Sequence, residues 1–311
     1  MNRKKLVVIG NGMAPGRVLD TLHQLAPDRY EITIFNAEPR VNYDRIMLSP
    51  VLSGEKSFED IIIHDDAWYA EHGITLHKGK RAEEIDRTAK IVIAADGTQA
   101  AYDKLIIATG SSPFIIPVPG KDLEGVLSYR DLDDVDKMLA YAEKGGRAVI
   151  IGGGLLGLEA AVGLKMRGMD VTVIHLAPTL MERQLDQAAG YLLQKAFTDR
   201  GIDVITKANT HEILGKDGKV AGIRLDDGTE IEAAIVVMAV GIRPSTDLAK
   251  AAGLDTGRGI KVGDDMRTSD PEIFALGECV EHRGMCYGLV APLYEMASVI
   301  ADRLTGGSSE Y

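Results

Sequence analysis

The stretch Ala148-Val149-Ile150-Ile151-Gly152-Gly153-Gly154-Leu155-Leu156-Gly157-Leu158-Glu159 limits the possible folds more than any other. Its uncharged apolar run reads as a buried parallel strand. The run leads directly into Gly-x-Gly-x-x-Gly at Gly152, Gly154 and Gly157. A helical pattern follows to about Arg167, and a second strand, Val171 to His175, comes next. In a strand–turn–helix–strand context this glycine spacing predicts a dinucleotide site. Gly152 permits the tight turn, Gly154 lets a pyrophosphate approach the backbone, and Gly157 lets helix and strand pack closely. The amides at the helix start then face phosphate charge.

The same unit occurs earlier in the chain. The strand Leu6 to Ile9 meets Gly10-Asn11-Gly12-Met13-Ala14-Pro15-Gly16. Gly10 and Gly12 are in register, whereas Pro15 fills the third slot and Gly16 follows it. Proline is tolerated in the first turn of a helix, so a helix is still expected here, with its close contact to the strand shifted by a residue. After each glycine unit come extended segments joined by a hairpin signal, Asp96-Gly97-Thr98 and Asp227-Gly228-Thr229. Each copy then has an apolar strand closed by glycine, Leu105 to Ala108 before Thr109-Gly110 and Ile235 to Ala239 before Val240-Gly241. The order repeats at an offset of roughly 130 residues, which predicts a duplicated unit with a β-meander in each copy. A proline-dense link, Ser112 to Gly120, separates the copies, and Arg243-Pro244-Ser245 marks the return. A further strand ends at Gly277-Glu278, and a helix runs from about Pro292 to Leu304. With no counterpart expected in the second copy, these two elements complete the first. The fold expected is α/β, with two Rossmann-like domains, the second inserted into the first. The expected boundaries are 1–113 and 245–311 for the discontinuous domain and 114–244 for the inserted one.

Composition narrows the function. The chain has 311 residues, 45% of them hydrophobic, and a formal net charge of −11. That charge argues against a nucleic-acid partner, which needs a basic face. Cys279 and Cys286 are the only cysteines, too few for a disulfide framework or an iron–sulfur cluster. Cys279 reads as a small buried residue. No run approaches the roughly 18 apolar residues of a membrane span, and the short apolar run at the start reads as a strand rather than a signal peptide. A soluble cytoplasmic protein is expected.

Several polar residues stand where a dinucleotide would need them. An acidic residue is expected near the end of the strand Glu31 to Phe35, to bind a ribose hydroxyl. Asn36 occupies that slot and Glu38 lies two residues on, so Glu38 is the candidate, the alternative being a solvated loop carboxylate. Arg45, in Tyr43-Asp44-Arg45, either neutralises a pyrophosphate or is an ordinary surface arginine. His175 ends the second strand of the second copy, where an NAD site usually carries a carboxylate. It either simply ends the strand or, when protonated, attracts a 2′-phosphate and gives dual coenzyme use.

The paired glycine turns, the Thr-Gly-like strand ends and the Gly277-Glu278 strand end resemble the two-dinucleotide-binding flavoprotein reductases. Within them, Val41-Asn42-Tyr43-Asp44-Arg45, Gly152 to Ala161, Leu180 to Asp186, Gly277-Glu278-Cys279 and Gly288 to Ala297 resemble the large-subunit group of assimilatory NAD(P)H nitrite reductases. The resemblance covers essentially the whole chain. It implies FAD contacts at Gly10, Gly12, Glu38, Arg45, Thr109, Gly110, Gly277 and Glu278, with a purely structural Glu278 as the alternative. The candidate NAD(P)H contacts are Gly152, Gly154 and Gly157 from the glycine turn, His175 and Gly241 at strand ends, and, as the resemblance implies, Glu159. Glu159 would help orient the nicotinamide, unless it is merely an exposed helix glutamate. A helix start after Gly288-Leu289-Val290-Ala291-Pro292 would lie near the flavin, where its dipole favours negative charge. The implied activity is hydride transfer from NAD(P)H to FAD. Electrons would then pass to an iron–sulfur cluster and sirohaem in downstream domains, with a small subunit as a further partner and ammonium as the product of nitrite. The polar, glycine-rich end Thr305 to Tyr311 reads as a domain-boundary linker, so the chain is expected to be the front part of a longer subunit. The rival readings are a ferredoxin or rubredoxin reductase and a flavin-binding sensor without turnover.

Overall fold

The computed structural model describes residues 3–311. In chain order, the elements that position the candidate sites are β1 (Lys4–Ile9), α1 (Met13–Leu25), β2 (Tyr30–Phe35), α2 (Leu48–Ser53), α3 (Asp66–Glu71), β3 (Thr75–His77) and β4 (Lys104–Ile107). They continue with β5 (Val126–Ser128), α4 (Leu132–Ala142), β6 (Arg147–Ile151), α5 (Leu155–Met166), β7 (Asp170–His175), α6 (Gln187–Asp199) and β8 (Ile202–Thr206). Last come β9 (Ile235–Met238), β10 (Ile273–Ala275) and α7 (Val290–Thr305). The chain divides into two compact units. One comprises residues 1–45, 61–112 and 243–311, and the other residues 46–60 and 113–242.

Each unit contains a five-stranded parallel sheet. The strand order is β10-β4-β1-β2-β3 in the first and β5-β9-β6-β7-β8 in the second. These strands are short apolar runs, as sheets covered on both faces require. Leu6, Val8, Leu105, Ile106 and Ile107 are fully buried in the first sheet, and Val149, Ile150, Val173, Val236 and Val237 in the second. Each unit also carries the expected three-stranded antiparallel meander, Ala82–Asp86, Ile91–Ala94 and Gln99–Ala101 in one and Thr210–Lys216, Lys219–Leu225 and Glu230–Glu232 in the other. The meanders close the two cores. Ile85 and Val92 join Val7 and Ile107, while Ile213 and Ile223 join Val149 and Val236.

Two expectations need correction. The terminal strand and helix of the first unit do have counterparts in the second. β5 takes the outer slot beside β9 that β10 takes beside β4, and α4 follows β5 as α7 follows β10. The counterpart precedes its glycine turn instead of closing the chain, and β5 is three residues long, too short for a periodic signal. The second difference is the segment 46–60, expected in the first domain but part of the second unit. Its helix α2 is seated on α5. Leu52 is fully buried and fills the space over Gly163, where a Cβ would come within 2.8 Å of it. The Arg167 guanidinium donates to Leu52 O at 2.7 Å and Val51 O at 3.1 Å, adding to the Gly54 N–H that the Val51 carbonyl already accepts at the end of α2.

Candidate functional site

The two glycine turns have the same backbone plan. Gly10 and Gly152 lie at φ +105° and +119°, a region that favours glycine. A Cβ on Gly10 would lie 2.2 Å from Ala108 O, and one on Gly152 would lie 2.3 Å from Ala239 O. The turn therefore backs tightly onto the neighbouring strand end in each unit. The middle glycines behave differently. Gly12 and Gly154 are the N-caps of α1 and α5 at φ −84° and −86°, values open to any residue. A Cβ on Gly154 would meet nothing within 4 Å, and one on Gly12 would meet only Arg45 Nε at 4.0 Å. Protein packing does not require glycine at either position. The space above each is what a pyrophosphate close to the backbone needs.

Helix starts give a second indication. α3, α4 and α6 are capped by the side chains of Asp65, Asp131 and Asp186. α1, α5 and α7, like the six-residue α2, have no side-chain cap and no acidic residue in the first turn. Their first amides and positive dipole ends are thus left for an anion. α1 and α5 both begin one residue after the middle glycine, so Pro15 does not shift the helix start. Gly16 does not take over the contact with the strand, however. A Cβ there would lie 3.2 Å from the Asn42 amide, so Gly16 makes room for Asn42. In the second unit the third glycine does approach the strand, since a Cβ on Gly157 would lie 2.0 Å from Gly152 O.

Around the first turn the structure brings Glu38, Tyr43 and Arg45 together. Tyr43 donates to Glu38 Oε2 at 2.8 Å, and Arg45 pairs with Glu38 Oε1 while its guanidinium lies 5.0 Å from the centre of the Tyr43 ring. Asn36 is used internally, donating to Arg40 O at 2.8 Å, so Glu38 is the carboxylate at this strand end. The turn itself is held by residues to which the sequence assigned no role. Fully buried Asn42 donates to Asn11 O at 2.8 Å and Gly12 O at 2.7 Å. Tyr69 donates to Asn11 Oδ1 at 2.9 Å, and burial pushes its hydroxyl pKa up to about 12. Among the described residues, Asn11 Nδ2 is a buried donor with no hydrogen-bond partner. At the other strand ends, Thr109 Oγ1 donates to Ser245 O at 2.7 Å and Gly110 O accepts from Ser245 N at 2.9 Å. Gly277 adopts φ +92°, and Ser111 Oγ donates to Glu278 Oε2 at 2.7 Å. Cys279 is fully buried, its thiol 3.2 Å from Leu276 O, and burial pushes the thiol pKa up. It packs as a small structural residue, and neither cysteine is in a disulfide.

In the second unit, Glu159 is half-buried and held rather than free on the helix surface. Ser49 Oγ donates to Glu159 Oε2 at 2.6 Å and lies 2.9 Å from the Tyr129 hydroxyl. Since the one serine proton goes to the carboxylate, Tyr129 donates to Ser49, and burial raises the tyrosine pKa. Ser49 comes from the segment 46–60, so its sequence position gave no sign of this contact. Gly241 lies at φ +114° with open space where a Cβ would be. Of the two readings of His175, its contacts do not suit the cationic one. Its Nδ1 accepts the Gly153 N–H at 3.0 Å and its Nε2 lies 3.0 Å from Glu182 Oε2. An Nδ1 that accepts from an amide carries no proton, so the ring in this arrangement is neutral.

The two-unit fold has known relatives. Residues 4–297 match the family model described as pyridine nucleotide-disulphide oxidoreductase. The chain belongs to that family. Its members bind FAD and NAD(P)H, and this chain is an NAD(P)H-dependent flavoprotein oxidoreductase. It is 51% identical over 306 residues to a nitrite reductase [NAD(P)H] of Bacillus subtilis, covering 98% of this chain and 38% of that protein. It is 45% identical over 306 residues to an assimilatory nitrate reductase electron transfer subunit of the same organism, covering 98% of this chain and 40% of that protein. The chain thus spans about two fifths of the length of these two relatives. Among solved structures, a ferredoxin reductase from Rhodopseudomonas palustris superposes with a TM-score of 0.93 at 29% identity, covering 99% of this chain and 78% of that one. Among the described residues, no group of three or more His, Cys, Asp or Glu side chains is arranged to hold a metal ion, and no helix is long and apolar enough to cross a membrane.

Proposed function

We propose that this chain is the hydride-accepting part of an assimilatory NAD(P)H nitrite reductase. FAD binds in the first unit and NAD(P)H in the second, and electrons leave for iron–sulfur and sirohaem centres in downstream domains. The observation that carries the reading is the open space over Gly12 and Gly154 at the uncapped starts of α1 and α5. The first unit fits FAD in three places. The α1 amides would take the pyrophosphate, with the Arg45 guanidinium above Gly12 adding positive charge. Glu38 would accept from the adenosine ribose. Thr109, Gly110, Gly277 and Glu278 would line the ribityl and ring end, and the uncapped start of α7 would favour negative charge there.

The second unit fits NAD(P)H through the α5 amides at the phosphates, Gly157 and Gly241 keeping the backbone close. Glu159, held by Ser49, which Tyr129 holds in turn, would accept a hydrogen bond from the carboxamide of the nicotinamide. Bound flavin supplies two-electron acceptance and one-electron release. The protein supplies position and electrostatics, and no side chain has to act as acid or base on the hydride. The likeness to nitrite reductases and to an electron transfer subunit of nitrate reductase supports a role in nitrogen assimilation. The second reading, delivery of electrons to a ferredoxin or rubredoxin carrier, is favoured by the ferredoxin reductase superposition.

The test is dye reduction against ammonium production on one preparation. The chain is expected to bind FAD and to oxidise NAD(P)H with ferricyanide as acceptor, without forming ammonium from nitrite. Ammonium from a metal-free sample would refute the division of labour. Rapid electron delivery to ferredoxin, with none to added sirohaem domains, would favour the second reading.

A further inference from the structure

The contacts of His175 bear on which nicotinamide coenzyme the second unit accepts. Sites of this architecture that take NAD commonly end the second strand in a carboxylate, which binds the adenosine ribose and repels a 2′-phosphate. Here β7 ends in His175. The Gly153 amide can only donate, so His175 Nδ1 is an acceptor and the ring proton sits on Nε2, which donates to Glu182 across 3.0 Å. The imidazole is a neutral link between the glycine turn and a carboxylate seven residues further along the chain.

The loop after β7 brings that carboxylate into place by folding back against the turn. Leu180 is fully buried, and Met181, at φ +54°, donates its N–H to Gly153 O at 3.0 Å. Gly153 thus holds the loop directly through its carbonyl and the strand end, His175, through its N–H. A Cβ on Gly153 would lie 2.6 Å from Leu180 and 2.8 Å from His175, so the close fit depends on glycine. Glu182 remains 41% exposed, tethered yet accessible to a ligand. Arg183, the next residue, is an exposed cation on the same loop.

We propose that Glu182, tethered by His175 to the glycine turn, stands in for the missing strand-end carboxylate and selects NADH over NADPH. The proposal rests on the second unit being the NAD(P)H site. Its negative charge meets the adenosine 2′ position, where a hydroxyl can donate to it and a phosphate is repelled. The neutral imidazole offers the phosphate nothing in return.

The test compares binding of ADP-ribose and 2′-phospho-ADP-ribose to the full chain by calorimetry, independently of flavin reduction. Wild type is expected to bind ADP-ribose at least about tenfold more tightly. Glu182→Gln should shrink that ratio about tenfold, Glu182→Asp should keep most of it, and Arg183→Ala should leave it nearly unchanged. An equal ratio in wild type and Glu182→Gln would overturn the proposal. So would a wild type that prefers the 2′-phosphate and loses that preference in Arg183→Ala. If ADP-ribose does not bind at all, the nucleotide site itself is misassigned and the proposal falls with it. If ADP-ribose binds with a ratio insensitive to Glu182, only the proposal falls.

Discussion

The two glycine turns share a backbone path but are held by opposite chemistry. In the first unit the Asn42 amide donates to carbonyls, those of Asn11 and Gly12. In the second the His175 ring accepts from an N–H, that of Gly153, while the loop beyond β7 returns an N–H to Gly153 O. Both arrangements leave the middle glycine open. The glycine spacing therefore sets the path and the room for a ligand, whereas the locking comes from residues outside the motif. That freedom lets each turn have a different charge at its edge, a Glu38–Arg45 pair in one and a His175–Glu182 pair in the other.

The largest effect should separate first glycines from middle ones. Gly152→Ala forces a side chain into a left-handed conformation 2.3 Å from Ala239 O, and should cost about 3 kcal/mol or more. Gly154→Ala, with open space around it, should stay within about 1 kcal/mol. Denaturant melts of the two variants check this, and equal losses would break the distinction between a glycine kept for packing and one kept for a ligand. Next in size is the separation of the two ligands. Gly12→Val should lose FAD, whereas Gly154→Val should stay yellow but bind ADP-ribose more than about a hundredfold more weakly. The opposite outcome, read from flavin absorbance and calorimetry, would invert the assignment of the units.

The two locks can then be opened one at a time. Asn42→Ala leaves the buried Asn11 carbonyl short of a donor, while Gly12 O keeps the Gly16 N–H, and His175→Ala leaves the Gly153 N–H short of an acceptor. Each should cost about 1–3 kcal/mol, the first weakening FAD retention and the second ADP-ribose binding. If either variant weakened both ligands equally, the locks would not be local. The smallest change expected is in Ser49→Ala, which frees Glu159. Flavin reduction by NADH should slow roughly three- to tenfold while ADP-ribose, which has no nicotinamide, binds as before. Stopped-flow bleaching alongside calorimetry measures both.

Much of this was legible in the sequence where the signal is local. The strands on either side of each glycine turn, both meanders and the terminal helix follow from short-range apolar periodicity and turn residues. Gly152 and Gly157 do what their spacing predicts, because packing against the adjacent strand is part of the motif. What escaped has no local period. β5 is three residues long, and only pairing with β9 makes it a strand. Ser49 reaches Glu159 from 110 residues away in the chain. Asn42, noted only as one letter of a motif, gains its role from a fold that brings it beneath the first turn. The contacts of His175 are with the Gly153 amide and with Glu182, the latter in a loop whose sequence alone does not say that it folds back.

The seat of α2 on α5 bears on module swapping. An engineer who lifts out the second unit as the single continuous segment 113–242 would leave residues 46–60 behind. The graft would expose the Gly163 surface that Leu52 covers, leave Arg167 without its two carbonyls and remove the serine that holds Glu159. A chimera between relatives should therefore exchange two stretches together, and keeping the short one native to the long one matters more than where the proline-rich link is cut.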